Sequence, residues 1–304
     1  MSCVFGPVPS RRLGRSLGVD LVPFKTCTYD CIYCQLGRTT RKTVEPVQWI
    51  PVDQVFEEVK GHLDSAPEYI TLGGSGEPTL YEGLGKLVEG IKRLTSIPLA
   101  VLTNGSLLWR PDIREGLLAA DLVIPSLDAG DDALFQAVNR PHEDLRFELI
   151  VQGLIDFRRE YRGRYWLEVL LLAGYTAYAR EVRRICQHLK AIRPDRIHIN
   201  TAVRPPAEPF AEAVPRDQLE ALCRLFGPDA EVIAERVYCE ETGTSDADEA
   251  QLMDMIRRRP CSSEDIAQGL RIHRSQVAKL AERLIASDAV RCVVVQGIPY
   301  YRVK

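Results

Sequence analysis

The stretch "CTYDCIYCQLGRTT" (27–40) places three cysteines within eight residues and an aromatic residue directly before the last of them. Cys27, Cys31 and Cys34 are separated by three and then two residues, and Tyr33 is the aromatic residue. A structural zinc site takes four ligands, and no nearby Cys or His completes such a set. A catalytic thiol pair needs only two cysteines, and an iron–sulfur cube normally takes four thiolates. Three thiolates would therefore leave one iron open to bind a ligand.

The remaining cysteines are not clustered. The chain has 304 residues and an odd total of nine cysteines, and a reducing, cytoplasmic compartment disfavours disulfides. The N-terminus lacks the apolar core of a signal peptide, and no run of eighteen apolar residues predicts a membrane span. We expect the six scattered cysteines to be small buried hydrophobic residues. These are Cys3, Cys186, Cys223, Cys239, Cys261 and Cys292. A second cluster using Cys223 and Cys239 is the less favoured alternative.

Apolar, β-branched runs alternate with helical patterns along the first two thirds of the chain. The predicted strands are 16–22, 69–74, 98–104, 121–129, 165–173 and 196–203. The predicted helices between them are 52–63, 80–94, 112–120, a long tract within 131–161, and 179–192. Continuous apolar strands of this kind are typical of a parallel sheet that is buried on both faces. Six units fit either a partial barrel or an open doubly wound sheet, and both place ligands at the carboxyl ends of the strands. The cysteine motif follows the first strand and so lies at that edge.

The C-terminal part has a different pattern and a different charge. Residues 250–304 contain ten Lys/Arg against five Asp/Glu, a net +5, which leaves residues 1–249 with 29 against 37, a net −8. Helices are predicted at 249–260, 262–270 and 273–290, followed by a hairpin around Gly297. Ser262 and Asp265 have the spacing of a capping box. This order is typical of a winged-helix domain. The predicted organisation is a core over 1–239, including a proline-rich segment after the barrel, a linker over 240–248 and a winged-helix-like domain over 249–304.

The cysteine motif resembles the CX3CXΦC signature, with Φ aromatic, of the radical S-adenosylmethionine (radical SAM) superfamily. The resemblance implies a partial (β/α)6 barrel, with Cys27, Cys31 and Cys34 binding a [4Fe–4S] cluster. Its fourth iron would bind the amino and carboxylate groups of SAM, and electron transfer would release methionine and a 5′-deoxyadenosyl radical. Tyr33 would pack near the adenine.

A second segment strengthens this resemblance. "LGGSGEPTL" (72–80) follows the second predicted strand, where the family carries a glycine-rich loop. The resemblance places four residues of this loop near the methionine end of SAM, namely Gly74, Ser75, Gly76 and Glu77. Three polar residues that end strands three and four are further candidates for SAM contacts, although a structural role is equally compatible with their positions. These are Asn104, Ser126 and Asp128.

Other polar residues are candidates by position alone. Glu168 lies inside the fifth predicted strand and could point into the barrel, and His198 and Asn200 share one face of the sixth strand. Three arginines, Arg11, Arg12 and Arg15, precede the first strand, and their guanidinium groups suit carboxylate or phosphate. A solvated surface run is the simpler interpretation of these arginines.

The reaction beyond SAM cleavage is left open by the motifs. "SGEPTLY" (75–81) looks like the branch that contains the tRNA wyosine-base synthases, which implies a tRNA base as substrate. That branch carries three further cysteines before the motif, whereas only Cys3 precedes it here. Two alternatives are a peptide or protein maturase whose winged helix binds the polypeptide, and an iron–sulfur DNA-binding redox regulator. An enzyme of this class also needs an external low-potential electron donor of the flavodoxin or ferredoxin type.

Overall fold

Parallel strands joined by helices form the body of the protein in a computed structural model that describes residues 2–233 and 247–304. The strands of the body are β1 Val4–Ser10, β2 Gly14–Val19, β3 Thr26–Cys27, β4 Arg41–Lys42, β5 Tyr69–Leu72, β6 Leu99–Thr103, β7 Leu122–Pro125, β8 Arg164–Leu171, β9 Arg196–Thr201 and β10 Ala230–Val232. The helices of the body are α1 Val52–Lys60, α2 Leu84–Leu94, α3 Pro111–Leu117, α4 Asp132–Val138, α5 Phe147–Glu160, α6 Ala179–Ile192 and α7 Arg216–Cys223.

The main sheet has the strand order β1-β2-β5-β6-β7-β8-β9-β10. β1 is antiparallel to β2, and every other neighbouring pair is parallel. The six predicted parallel strands are confirmed as β2 and β5 to β9, and short β10 extends the sheet beyond them. This is the α/β fold of a partial (β/α)6 barrel.

Successive side chains of each strand point alternately towards the helices and into the barrel interior, so the two sides of the sheet have separate cores. Leu167 and Val169 of β8 belong to the large apolar cluster that includes the helices, whereas Glu168 between them does not. One end of the interior is closed by a small apolar cluster, because the turn between β1 and β2 inserts Leu13 among strand side chains. Its other buried members are Ala100, Leu122, Ile124 and Trp166. The polar residues of the interior lie beyond this apolar end.

Two features of the body differ from the expectation. The structure adds β1, which is not among the predicted strands. It contains Pro7 and Pro9 and lies at the edge of the sheet, where proline is tolerated. The tract predicted as one helix within 131–161 is two helices, α4 and α5. The chain turns between them at Arg140, which has a left-handed φ of 45°, and at Pro141.

The C-terminal segment has its own apolar cluster and a three-stranded sheet of order β11-β13-β12. Its elements are α8 Glu249–Arg258, β11 Cys261–Ser262, α9 Ser263–Leu270, α10 Arg274–Ala286, β12 Val290–Val295 and β13 Ile298–Val303. The capping box of Ser262 and Asp265 is confirmed at the start of α9. The winged-helix assignment and the domain boundaries stay predictions. Most of the predicted linker, and Cys239, lie outside the described residues.

In the part of the chain that the structure describes, no helix is long and apolar enough to cross a membrane.

Candidate metal and cofactor site

The cysteine loop is held at the carboxyl edge of the sheet by short-range and long-range backbone hydrogen bonds. Cys27 ends β3, which pairs with β4. The Cys34 amide donates to the Cys31 carbonyl at 3.1 Å, which closes a tight turn. The Ile32 amide donates to the Val138 carbonyl at 3.0 Å and so attaches the loop to the end of α4. The three thiols therefore lie on one anchored loop.

Each of the three thiol sulfurs has a nitrogen donor of its own. The Lys25 ammonium lies 3.2 Å from the Cys34 Sγ. The Asn104 Nδ2 lies 3.6 Å from the Cys27 Sγ, and the Asn139 Nδ2 lies 3.6 Å from the Cys31 Sγ. Donors at this distance stabilise negative charge on sulfur, which is the form that binds metal. The three sulfurs, each with a nearby hydrogen-bond donor, therefore fit the thiolate ligands of an iron–sulfur cluster.

Without metal, the site favours the neutral thiol form of Cys27 and Cys31. Burial raises the pKa of the Cys27 thiol to about 12, and the charge of Glu77 adds to the shift. Burial and the neighbouring Cys27 and Cys34 thiols raise the pKa of the Cys31 thiol. Bound metal cations would reverse this balance, since a coordinating thiol is deprotonated. In the described ranges no three Cys, His, Asp or Glu side chains converge on one position as ligands of a single metal ion.

The glycine-rich loop after β5 packs directly against the cysteine loop. A Cβ on Gly76 would lie 2.0 Å from the Thr26 carbonyl oxygen, so only glycine fits there. Gly74 is exposed. The buried Ser75 is fixed by Asp20, whose carboxylate accepts from the Ser75 hydroxyl and, at 2.9 Å, from its amide. This packing presents the backbone of the loop beside the residue that precedes Cys27.

Glu77 connects the glycine-rich loop to the end of β6. Its buried Oε1 accepts from the Thr79 amide at 3.0 Å, and its Oε2 accepts from the Asn104 amide at 2.7 Å. The Thr103 hydroxyl donates to Oε1 at 2.5 Å. Burial raises the pKa of Glu77, although these donors oppose the shift. The carboxylate therefore holds Asn104 in place, and Asn104 in turn lies against the Cys27 sulfur.

Asp128 has a similar role on the opposite side of the loop. Its Oδ2 accepts from the Tyr33 hydroxyl and, at 2.8 Å, from the Asn139 Nδ2. Its Oδ1 accepts from the Leu170 amide at 2.9 Å. Burial raises the pKa of Asp128, and the three hydrogen bonds lower it. The carboxylate thus fixes the aromatic residue of the motif and the donor of Cys31. Ser126, two residues earlier, is half-buried.

The polar residues of the barrel interior meet the N-terminal hairpin turn. The Arg12 guanidinium forms an ion pair with Glu168, and the Asn200 Nδ2 donates to Glu168 at 2.9 Å. The Arg11 guanidinium donates to the Asn200 Oδ1 at 3.1 Å. The Arg12 side chain is only 14% exposed. The interpretation of these arginines as a solvated surface run is therefore wrong for Arg11 and Arg12, because the hairpin turn directs them inward.

His198 shares the interior face of β9 with Asn200. It is buried against the Trp166 ring, with ring centroids 5.0 Å apart, and its Nε2 lies 3.3 Å from Glu231. Burial lowers the pKa of His198, which favours the neutral ring. Its contacts describe a packed interior residue.

The scattered cysteines are only partly as expected. Cys3, Cys223 and Cys261 are buried, and Cys186 is half-buried. Cys292 is exposed, so the expectation of a buried hydrophobic residue is wrong for it. It lies on β12, at the outer edge of a three-stranded sheet whose central strand is β13.

Three residues of the site were missed by sequence reasoning. Lys25 and Asp20 lie between β2 and Cys27, so their positions near the motif were a weak signal. Asn139 ends α4 and had no signal in the sequence, since only the fold brings it to Cys31. The Asn139 Oδ1 is a buried acceptor with no hydrogen-bond partner among the described residues.

Comparisons with known proteins agree with this site. The family model described as the radical SAM superfamily matches residues 21–177, which include both loops. A protein named GTPase Obg from Brachyspira hyodysenteriae is 39% identical over 305 residues, covering 99% of this chain and 45% of the relative. The chain thus spans less than half of that relative. A UPF0026 protein of Methanocaldococcus jannaschii is 37% identical over 230 residues, 74% of this chain and 71% of the relative.

Among solved structures, a radical SAM methyltransferase from Sphaerobacter thermophilus superposes with a TM-score of 0.56. The match covers 71% of this chain and 66% of the methyltransferase at 16% identity, so it bears on the fold alone.

Proposed function

Because the chain belongs to the radical SAM superfamily, we propose that it cleaves SAM reductively and uses the product to abstract hydrogen from a substrate. Enzymes of this family use a [4Fe–4S] cluster and SAM, which together supply a 5′-deoxyadenosyl radical and methionine. Cys27, Cys31 and Cys34 would hold the cluster through their sulfurs. An external electron donor is a general need of the family, and we propose one of the flavodoxin or ferredoxin type.

The observation that carries the proposal is the pairing of each thiol with its own nitrogen donor beside the glycine-rich loop. Lys25, Asn104 and Asn139 come from three separate parts of the chain. Such donors would stabilise the thiolate form and hold each sulfur in position. Their convergence on three sulfurs of one loop favours a bound cluster over three structural cysteines.

The other predicted residues have roles that follow from their contacts. Gly74, Ser75 and Gly76 would present backbone groups to the methionine end of SAM, with Asp20 holding Ser75 in place. Four more residues would line or support the rest of the cofactor site. These are Tyr33, Asn104, Ser126 and Asp128. Of these, Tyr33 belongs to the cysteine loop, and Asn104 and Asp128 have hydrogen bonds to residues of that loop. The barrel would exclude water from the reacting carbon, which protects a reactive radical.

For the substrate we propose a tRNA base, as in the wyosine-synthase branch. The "SGEPTLY" segment and the basic C-terminal segment support this choice. A peptide or protein maturase is the second candidate, favoured by the packing of the C-terminal segment against β1, which could hold a polypeptide beside the barrel. The DNA-binding redox regulator is disfavoured, because a sensor would not need the glycine-rich loop. A cytoplasmic location stays a prediction.

The test is anaerobic reconstitution with iron and sulfide, followed by dithionite and SAM. We expect about four irons per chain and formation of 5′-deoxyadenosine in the wild type. Cys31→Ala should lose both the intact cluster and turnover, whereas Cys292→Ala, which changes an exposed thiol outside the motif, should retain both.

The outcomes separate the candidates. SAM cleavage by Cys31→Ala at the wild-type rate would refute the assignment of the cysteines. Zinc in place of iron, or a cluster that leaves SAM intact, would favour the regulator. About eight irons per chain would indicate a second cluster.

A further inference from the structure

A cavity of about 920 Å³ lies between the barrel, the N-terminal hairpin and the C-terminal segment. On one side it reaches Gly74 and Ser75 of the glycine-rich loop. On the other side it is lined by residues of α8 and α9, including Arg258. The Arg258 guanidinium lies 4.3 Å from the centre of the Phe5 ring of β1, so the C-terminal segment is attached along this wall. The volume suits a small molecule or a single nucleotide.

Three arginines from distant parts of the chain line this cavity together. Arg11 comes from the hairpin turn, Arg204 follows β9, and Arg259 follows α8. In the described part of the chain, no carboxylate lies within ion-pair distance of Arg11 or Arg259, whereas Arg204 pairs with Asp265 at 3.2 Å. Positive charge therefore exceeds negative charge around these three groups.

Among the described residues, Asp265 is the carboxylate within ion-pair distance of these arginines, through Arg204, and the other acidic groups nearby are engaged elsewhere. Glu168 is paired with Arg12. The acidic side chains that line the cavity serve the C-terminal segment: Asp248 caps α8, and Asp254 lies 3.3 Å from Arg258. Asp20 holds the glycine-rich loop. Within the described ranges, the three arginines thus have one ion-paired carboxylate, Asp265, and positive charge remains in excess around them.

Two further observations favour binding of an anion by the three arginines. The Arg204 Nε is buried and has no hydrogen-bond partner among the described residues. The Arg204 charge, together with burial, lowers the pKa of Arg259, and burial followed by the Arg204 charge lowers the pKa of Arg11 to about 10. Like charges that line one cavity repel each other, and an anion bound between them would relieve that repulsion.

From this geometry we infer that Arg11, Arg204 and Arg259 bind a phosphate group of the substrate inside the cavity. The inference rests on the proposed function, because it places the substrate beside the loop proposed to bind SAM. Guanidinium groups bind phosphate oxygens through paired hydrogen bonds. Three of them match a phosphate monoester, which has three terminal oxygens and nearly two negative charges, better than a carboxylate.

The experiment measures binding of inorganic phosphate to the cluster-loaded, full-length protein by anaerobic calorimetry at matched ionic strength. We expect saturable binding to the wild type and at least tenfold weaker binding to Arg259→Gln, since it loses a charged donor. Arg257→Gln is the matched control, because Arg257 is the exposed arginine two residues earlier and does not line the cavity. Its affinity should stay within twofold of the wild type. Arg11→Gln replaces Arg259→Gln if the latter does not fold.

Binding of phosphate with equal affinity to the wild type and to Arg259→Gln, or no binding to the wild type, would overturn the inference. Competition distinguishes the source of the phosphate. Displacement by AMP would support a mononucleotide-sized substrate, and displacement by tRNA with a steep salt dependence would support nucleic acid.

SAM cleavage measured on the same samples separates the two proposals. Normal 5′-deoxyadenosine formation without phosphate binding would overturn only the phosphate site. Phosphate binding without any SAM cleavage would overturn only the proposed function.

Discussion

The close packing of the glycine-rich loop against the cysteine loop makes Gly76→Ala a sharp test of the proposed site. The added Cβ would lie 2.0 Å from the Thr26 carbonyl oxygen and 2.7 Å from the Val22 Cγ2. Ordinary contact begins at 3.4 Å, so the two backbones must separate by about 1.4 Å. The carbonyl belongs to the residue directly before Cys27, and its movement therefore displaces the first cysteine.

The expected effects follow from that displacement. Overpacking of this kind costs about 1–3 kcal/mol of folding stability. A shift of about 1 Å in a reacting geometry costs about 100-fold in rate. We therefore expect Gly76→Ala to fold with a lower melting temperature and to form 5′-deoxyadenosine about 100-fold more slowly than the wild type. Electron paramagnetic resonance of the reduced protein, with and without SAM, reports whether SAM still perturbs the cluster.

Gly61→Ala is the matched control, because its Cβ would meet only helix carbonyl oxygens at 3.6 Å and its φ is −64°. This variant should keep the wild-type rate. If Gly76→Ala, loaded with iron to the wild-type level, cleaved SAM at the wild-type rate, the argument from loop packing would fail.

The buried Asp128 and the half-buried Glu168 give the remaining predictions. Asp128→Asn keeps one acceptor oxygen and puts an amide nitrogen in place of the other, so either the Tyr33 hydroxyl or the Leu170 amide loses its acceptor. We therefore expect about 1–3 kcal/mol lower stability in denaturant unfolding and weaker retention of iron, and unchanged stability would contradict the role given to the carboxylate. Burial by itself would raise the pKa of Glu168, but the Arg12 guanidinium brings it to about 2, below the value of the unfolded chain. The pair therefore stabilises the folded state above about pH 4.5, by on the order of 3 kcal/mol at most, and this contribution is lost as the pH falls towards 2. Arg12→Gln should be less stable than the wild type at pH 7, with a difference that shrinks below pH 4.5; a pH-independent difference would show that the ion pair is not its cause.

Local sequence determined the fold class and is the basis for predicting the three metal ligands. The cysteines lie within eight residues, so one loop brings them together whatever surrounds it. The alternation of apolar strands and amphipathic helices was sufficient to predict the six parallel strands, because side-chain period and burial are local properties of each element. The capping box of Ser262 and Asp265 could also be predicted, because it depends on two residues only three positions apart.

The proline-containing edge strand was not predictable in this way. β1 has little strand propensity of its own, and only its pairing with β2 stabilises it. Its turn then directs Arg11 and Arg12 into the barrel. A sequence pattern shows that Arg11 and Arg12 are charged, but it does not show whether a turn directs their side chains inward or towards solvent.

Tertiary structure alone decided which groups meet at the sulfurs and in the cavity. Asn104 and Asn139 lie 77 and 108 residues from the cysteines that they contact. Arg204 and Arg259 line one cavity because the C-terminal segment packs against the body, where Arg204 pairs with Asp265 of α9. These contacts depend on the order of the strands and the packing of the helices. Because both result from interactions across the whole chain, the contacts cannot be predicted from residue spacing. The sequence by itself therefore predicted the three cysteines as cluster ligands, and the tertiary structure decided which donors surround their sulfurs and which arginines line the cavity.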